Sequence, residues 1–412
     1  MTTAEPTVQP TANSAAELKP NAMTTTPAPQ GPIFDKGLAN TIVAETQMSF
    51  IDGGKGVLEY VGIDIDSLAR NSTYEETVYL LWNCKLPTQA ELDALKSALQ
   101  AEYEIPDAIY DMIRSFPTDA VPMHALRTLV SALALHDADA TSSETTPTGI
   151  ESAKRQALRL VAKTPTLIAN FDRHRLGKAF VRPNTTFDIA TNFLWMLNGE
   201  VPTTAMTRGL DICLILHADH GLNASTFAGR VTIATLSDMY SAMTTAVGTL
   251  KGPLHGGANE EVMIMLDEIG SMENVEPFIK GKLERKELIM GFGHRVYKAY
   301  DPRATYLKTF AQQIATDTGN LRLFEMSQKI EGIVLAAKAD KGIFPNVDFY
   351  SATTYHCLGI KTDLFTCMFA MSRMSGWAGH CIEQLQDNRL IRPQAKYTGP
   401  HAAQYVALAQ RV

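Results

Sequence analysis

Residues 72–106 read STYEETVYLLWNCKLPTQAELDALKSALQAEYEIP. Ser72 or Thr73 stands three residues ahead of Glu75 or Glu76, the spacing of a capping box, in which hydroxyl and carboxylate satisfy the free backbone N–H groups of a helix's first turn. The apolar run Val78 to Trp82 follows directly. Thr88 and Glu91 repeat the device ahead of Leu92, Leu95 and Leu99, which share one helical face until Pro106 stops the run for want of an N–H. Helix therefore follows helix through this stretch.

The same reading extends in both directions. Pro122 opens a helix with Leu126, Leu129, Val130 and Leu133 at i, i+3, i+4 and i+7. Comparable segments are expected near 150–163, 186–198 (closed by Gly199), 203–217, 223–247, 259–269, 302–317, 321–340, 346–357 and 362–386. Strand-like alternation is confined to residues 41–62, around Gly53-Gly54-Lys55-Gly56. No fixed repeat period appears, which argues against a solenoid, and the fold class expected is all-α.

Composition bounds the function. The chain has 412 residues, 45% hydrophobic and 20% charged, a globular balance with length for two or more domains. No apolar run reaches the roughly 18 residues of a membrane helix. A net charge of −7 argues against a nucleic-acid partner. Cys84, Cys213, Cys357, Cys367 and Cys381 are odd in number and scattered, as expected of reduced thiols in a cytoplasm. Residues 1–30 are rich in Thr, Ala and Pro with Lys19 the one basic residue, and are expected to form a disordered tail. Glycine and proline punctuation at 248–258 and 342–345 brackets a middle lobe, with a ligand cleft expected beside it.

Candidate chemistry lies in four short motifs. They are His220 in His217-Ala218-Asp219-His220-Gly221, His255 in Gly252-Pro253-Leu254-His255-Gly256-Gly257, His294 in Gly291-Phe292-Gly293-His294-Arg295, and Asp348 in Asn346-Val347-Asp348-Phe349-Tyr350. Imidazole exchanges protons near neutral pH, and flanking glycines let a substrate approach the backbone. His217 and His220 are spaced like two metal ligands but lack a third, so substrate contact through His220 is the better reading. His255 precedes a helix carrying Glu260 and Glu261, whose dipole would favour neutral imidazole; the plainer alternative is a turn cap. Asp348 reads equally as a helix cap or as a base strengthened by apolar neighbours. In Asp301-Pro302-Arg303 an N-cap and N1 proline place Arg303 at an anion-favouring helix start. Arg373, in an apolar helix, calls for an anion partner. Arg392, before Pro393, reads locally as a surface residue.

In order and spacing these motifs resemble the citrate synthase family. The likeness runs from Gly37 to Arg392 and includes Thr73-Tyr74-Glu75-Glu76, Leu126-Arg127-Thr128-Leu129-Val130 and Asn192-Phe193-Leu194-Trp195-Met196-Leu197. It implies an all-helical homodimer, with higher assembly left open. Residues 31–253 and 359–412 would form a large domain, and 254–358 a small one, with a cleft that closes on substrate. It further implies that His255 donates to the thioester oxygen of acetyl-CoA while Asp348 removes a methyl proton. His294 would polarise the oxaloacetate carbonyl. His220, Arg303 and Arg373, with Arg392 from the partner subunit, would hold the oxaloacetate. Gly291, Phe292 and Gly293 would receive CoA, with Arg295 and Lys298 as candidates for its phosphates. No metal or cofactor is implied, acetyl-CoA being a substrate.

Tyr60-Val61-Gly62 departs from the family's usual Tyr-Arg-Gly, and the N-terminal domain of NADH-inhibited forms has no counterpart in the residues given. A 2-methylcitrate synthase using propionyl-CoA is the nearest alternative. A catalytically silent relative and a zinc hydrolase built on His217 and His220 are alternatives of other classes.

Overall fold

The computed structural model describes residues 34–140 and 143–411. The expected tail, 1–30, lies outside them. By internal contacts the chain forms two units, Glu45–Ile391 and the two ends up to Ala44 and from Arg392 onward. In the terminal unit, Asp35 accepts from the Asn40 backbone N–H (2.9 Å) and the Thr41 hydroxyl (3.1 Å), and Leu408–Gln410 is a single 3-10 turn.

The main unit holds sixteen α-helices and three short strands among the described residues, which bears out the all-α expectation. Thr73 caps Tyr74–Asn83 by accepting from the Glu76 N–H at 3.3 Å. Thr88 and Glu91 complete the reciprocal box at the start of Gln89–Ala101. Asp301 and Pro302 start Pro302–Asp317 as their order requires.

Two expectations need correction, and three helices are added. The segment 223–247 is two helices, Ala224–Ile233 and Met239–Leu250, because Leu236 turns at φ 65° and Asp238 caps the second by accepting from the Ser241 N–H. The segment near 150–163 is the middle of Pro147–Arg175, which continues through Pro165. Ile65–Asn71, Asp107–Ser115 and Met272–Glu284 are further helices that the apolar spacing did not announce.

The strand candidates become one antiparallel meander, Ser49–Asp52 with Val57–Tyr60 and Ile63–Asp64. Its turn is pressed onto the segment that carries His294. The Lys298 N–H donates to the Gly53 carbonyl at 2.8 Å, and a Cβ on Gly53 would lie 2.2 Å from the Val296 carbonyl oxygen.

Phe365–Gln386 is the central post, buried from Phe365 through Ile382. Pro147–Arg175, Ala224–Ile233, Met239–Leu250, Thr204–His217 and Tyr74–Asn83 all pack against it. Each large apolar side chain buried there contributes about 1.5–3 kcal/mol. Glycines let the neighbours come close: a Cβ on Gly376 would stand 2.2 Å from the Ala218 carbonyl oxygen, in the turn leading to His220. Cys213, Cys357, Cys367 and Cys381 are buried thiols, whereas Cys84 is exposed. No helix among the described residues is long and apolar enough to cross a membrane.

Gly376→Ala drives a methyl into that carbonyl, an overpacking that costs about 1–3 kcal/mol. Calorimetry should show a lowered Tm. An unchanged Tm would mean that the helix and the turn are not in the contact described.

Candidate active site

Helix ends and one helix interior bring the motifs together. His220 follows the end of Thr204–His217 in a turn made by Gly221 at φ 56°. Its ring centre lies 5.2 Å from that of His294 and 5.5 Å from that of Tyr297, and its Nε2 is 3.1 Å from the Tyr297 hydroxyl. Arg303 places its guanidinium 5.9 Å from the Tyr297 ring centre.

Asp301 ties two of these segments. Its carboxylate accepts from Nε and Nη2 of Arg303 at 3.0 and 2.8 Å, and from the Val347 N–H at 3.2 Å. The helix Val347–Cys357 thereby begins beside Arg303. Asn346 is its cap, accepting from the Asp348 N–H at 3.0 Å, so the cap reading of Asp348 is excluded and the carboxylate is left for other work. Burial pushes Asp348 up to about 6, against the opposing pull of Arg303 and Arg373.

The histidines are neutral. Burial first, then the nearby guanidinium groups, hold His255 and His294 down to about 4, and His220 well below its ordinary value. Gly257 is the N-cap of Ala258–Ile269, two residues beyond His255, and burial with Arg373 and Arg295 lowers the imidazole.

Hydrogen bonds also choose the tautomers. Nδ1 of His294 accepts from the backbone N–H groups of Val296 (3.0 Å) and Tyr297 (3.2 Å), so the proton sits on Nε2. Nε2 of His255 is 2.8 Å from the Ser225 hydroxyl and accepts from the Ser225 N–H at 3.3 Å. The Asn223 side-chain oxygen already accepts the Ser225 and Thr226 N–H groups at 3.1 Å each, and Trp377 donates to the Ser225 hydroxyl at 3.0 Å. The Ser225 hydroxyl also lies 2.8 Å from that Asn223 oxygen; Nε2 of His255 accepts from the Ser225 N–H, so the ring proton sits on Nδ1, which is left as a donor.

Arg373 is the most demanding group. It lies mid-helix at 1% exposure, its Nε donates to the His217 carbonyl at 2.7 Å, and its Nη2 is buried with no partner. Desolvation lowers it to about 10. Asp219, the carboxylate whose charge acts most on it, is taken up by the Ser49 hydroxyl, the Gly221 N–H and His380. A buried cation with an idle donor has the chemistry to bind a carboxylate.

The remaining expected residues stand as follows. The Gly291 carbonyl accepts from the Asn346 N–H, Gly293 donates to the Phe344 carbonyl, and Asn346 Nδ2 donates to the Gly293 carbonyl, each at 2.9 Å. Phe292 packs on Phe349 at 4.6 Å between ring centres. This pairing joins the His294 loop to the Asp348 helix. Arg295 and Lys298 are exposed beside it. Arg392 belongs to the terminal unit and is exposed there. His217 turns its Nδ1 to the Cys213 carbonyl, and no set of three metal-ligating side chains occurs among the described residues.

Ser225, Trp377, Tyr297 and Asn346 escaped the sequence reading. Asn223-Ala224-Ser225 looks like a helix start and nothing more, and Trp377 like core; only the fold brings them to His255.

The chain was compared with known proteins. The family described as "Citrate synthase, C-terminal domain" matches residues 37–394. Citrate synthase 2 of Bacillus subtilis is 50% identical over 377 residues, 91% of this chain and 99% of the relative. The 2-methylcitrate synthase of Shewanella oneidensis is 39% identical over 378 residues, 91% and 97% of the two chains. Among solved structures, the citrate synthase of Thermoplasma acidophilum, in ternary complex with carboxymethyl coenzyme A and oxaloacetate, is 35% identical with a TM-score of 0.85, covering 92% of this chain and 100% of its own.

Arg373→Met removes a cation that has no carboxylate partner of its own. Scanning calorimetry should find the unliganded Tm unchanged or raised. The rise in Tm given to the wild type by a small dicarboxylate, about 2.7 kcal/mol of stabilisation at a hundredfold excess over Kd, should vanish. A variant still stabilised by the dicarboxylate would remove Arg373 from the anion site.

Proposed function

The chain belongs to the citrate synthase family of acyltransferases, and on that premise we propose that it condenses acetyl-CoA with oxaloacetate and water to give citrate and CoA. The observation that carries the reading is the buried Arg373 with its idle donor, set beside neutral histidines of chosen tautomer.

A thioester methyl is a poor acid, so its proton is lost only to a placed base while a donor meets the oxygen that becomes negative. Asp348 takes the proton, and the C–H electron pair moves into the enol(ate), whose oxygen receives the Nδ1–H of His255. That carbon attacks the keto carbonyl of oxaloacetate, polarised by the Nε2–H of His294. Neutral imidazole suits both tasks: His255 donates a hydrogen bond to the enol(ate) oxygen, and His294 gives its Nε2 proton to the oxygen left negative by the attack, which becomes the hydroxyl of citryl-CoA. Water then cleaves the citryl-CoA thioester.

His220, Arg303 and Arg373 bind the oxaloacetate carboxylates, and Arg392 comes from the partner subunit of a homodimer. CoA lies along Gly291, Phe292 and Gly293 with Arg295 and Lys298 near its phosphates. Residues 254–358 close as a small domain on 31–253 and 359–412, excluding water while the enol(ate) exists. The chemistry runs on side chains with no cofactor, in the cytoplasm.

The second reading, 2-methylcitrate synthesis from propionyl-CoA, is favoured by the likeness to the Shewanella oneidensis enzyme. One methylene is worth about 1–3 kcal/mol in an apolar pocket, so few residues separate the two.

Release of CoA thiol from acetyl-CoA and propionyl-CoA, with and without oxaloacetate, tests the reading. Oxaloacetate-dependent release that prefers acetyl-CoA is expected, with Asp348→Ala lowering kcat by about 10²- to 10⁴-fold, the range of acid–base catalysis. Preference for propionyl-CoA would select the second reading, and no release from either would end both. The pH profile follows from Asp348, which must be ionised to act. Activity should fall as pH drops through about 6, while His255 and His294, lowered to about 4, add no break until well below that.

A further inference from the structure

Three polar atoms in the floor of the site are buried without partners: Nη2 of Arg373, Nε2 of His217 and the Tyr355 hydroxyl. The first has a carboxylate to bind. The other two have no part in the reaction as described.

Their hydrogen-bonding characters are complementary. Nδ1 of His217 lies 2.8 Å from the Cys213 carbonyl, which only accepts, so Nδ1 carries the proton. Burial drives His217 down to about 3, and Nε2 of the neutral ring is therefore an acceptor. Tyr355 has one proton to give, and burial raises it well above the ordinary phenol value. The two ring centres are 6.3 Å apart at 33°, and no direct hydrogen bond joins them.

Helical register points Tyr355 toward the base, whose charge acts on its hydroxyl. Tyr355 comes seven residues after Asp348 in Val347–Cys357 and so lies on the same face, and a long helical side chain leans toward the N-terminus, here toward Asp348. Phe369 walls the other side, its ring centre 5.0 Å from that of His217 and 4.7 Å from the Arg373 guanidinium carbon.

We propose that one buried water links Nε2 of His217, the Tyr355 hydroxyl and the Asp348 carboxylate, making His217 and Tyr355 positioning residues for the base. The water accepts the Tyr355 proton and donates one hydrogen to His217 and the other to Asp348. Every group is then satisfied, and three partners is the usual complement of an internal water. The inference rests on Asp348 being the base.

A hydrogen bond donated to the carboxylate favours its charged form, opposing burial. The other groups that act on Asp348 are Arg303 and Arg373, which also favour the charge, and Asp301, which opposes it. Without the Tyr355 hydroxyl the water loses an anchor, and Asp348 becomes harder to ionise.

Tyr355→Phe tests this. We expect the acid limb of the kcat profile to move to higher pH and kcat to fall roughly 3- to 10-fold, the range of one hydrogen bond, with the oxaloacetate KM kept. Tm should hardly change, because the hydroxyl removed has no protein partner. A high-resolution crystal structure of the wild type should show density bridging the three groups, lost in the variant. A dry space in the wild type, or a variant with the wild-type acid limb and kcat, would overturn the proposal. Should the wild type release no CoA with oxaloacetate, the functional reading falls while the density still decides the water.

Discussion

The site is organised around a positive charge placed where water cannot reach it. Arg373 sits in the most buried helix of the protein, and its surroundings leave one donor idle. Everything near it must tolerate that charge. His217, His220 and His255 are each held neutral in part by its field, and Asp219, the carboxylate that could have neutralised it, is engaged with Ser49, Gly221 and His380. In the proposed function the oxaloacetate carboxylates complete an electrostatic arrangement that the protein leaves open.

Neutrality and tautomer together turn three imidazoles into directional donors and acceptors. His294 is set by two backbone N–H groups, His255 by Ser225 and His217 by a carbonyl one helical turn away. Backbone groups do most of this, so the proton positions are as rigid as the helices and turns that supply them.

Much of this was legible in the residues. Caps at Thr73, Thr88 and Asp301 act locally, within four residues, and the sequence displays them. The glycine-flanked histidines announced themselves for the same reason. What stayed hidden acts across the chain: Ser225 on His255 spans 30 residues, Trp377 on Ser225 spans 152, and Arg373 on the His217 carbonyl 156. The ambiguity at Asp348 was local but subtle, because Asn346 and Asp348 are both good caps and only geometry tells which one is used. The break at 234–238 was missed because Leu236, a residue that rarely turns at positive φ, makes it.

The meander at Ser49–Asp64 reaches the Asp219 turn through Ser49 and the His294 loop through Gly53, while the post that all of them surround is made last, at Phe365–Gln386. A chain growing from its N-terminus must hold its first strands and most of its helices without the element that buries them. Such long-range closure slows folding and leaves apolar faces open in the interval. The same architecture that buries Arg373 thus commits the nascent chain to a long dependence on its own last sixth, and on whatever keeps it from aggregating until that segment arrives.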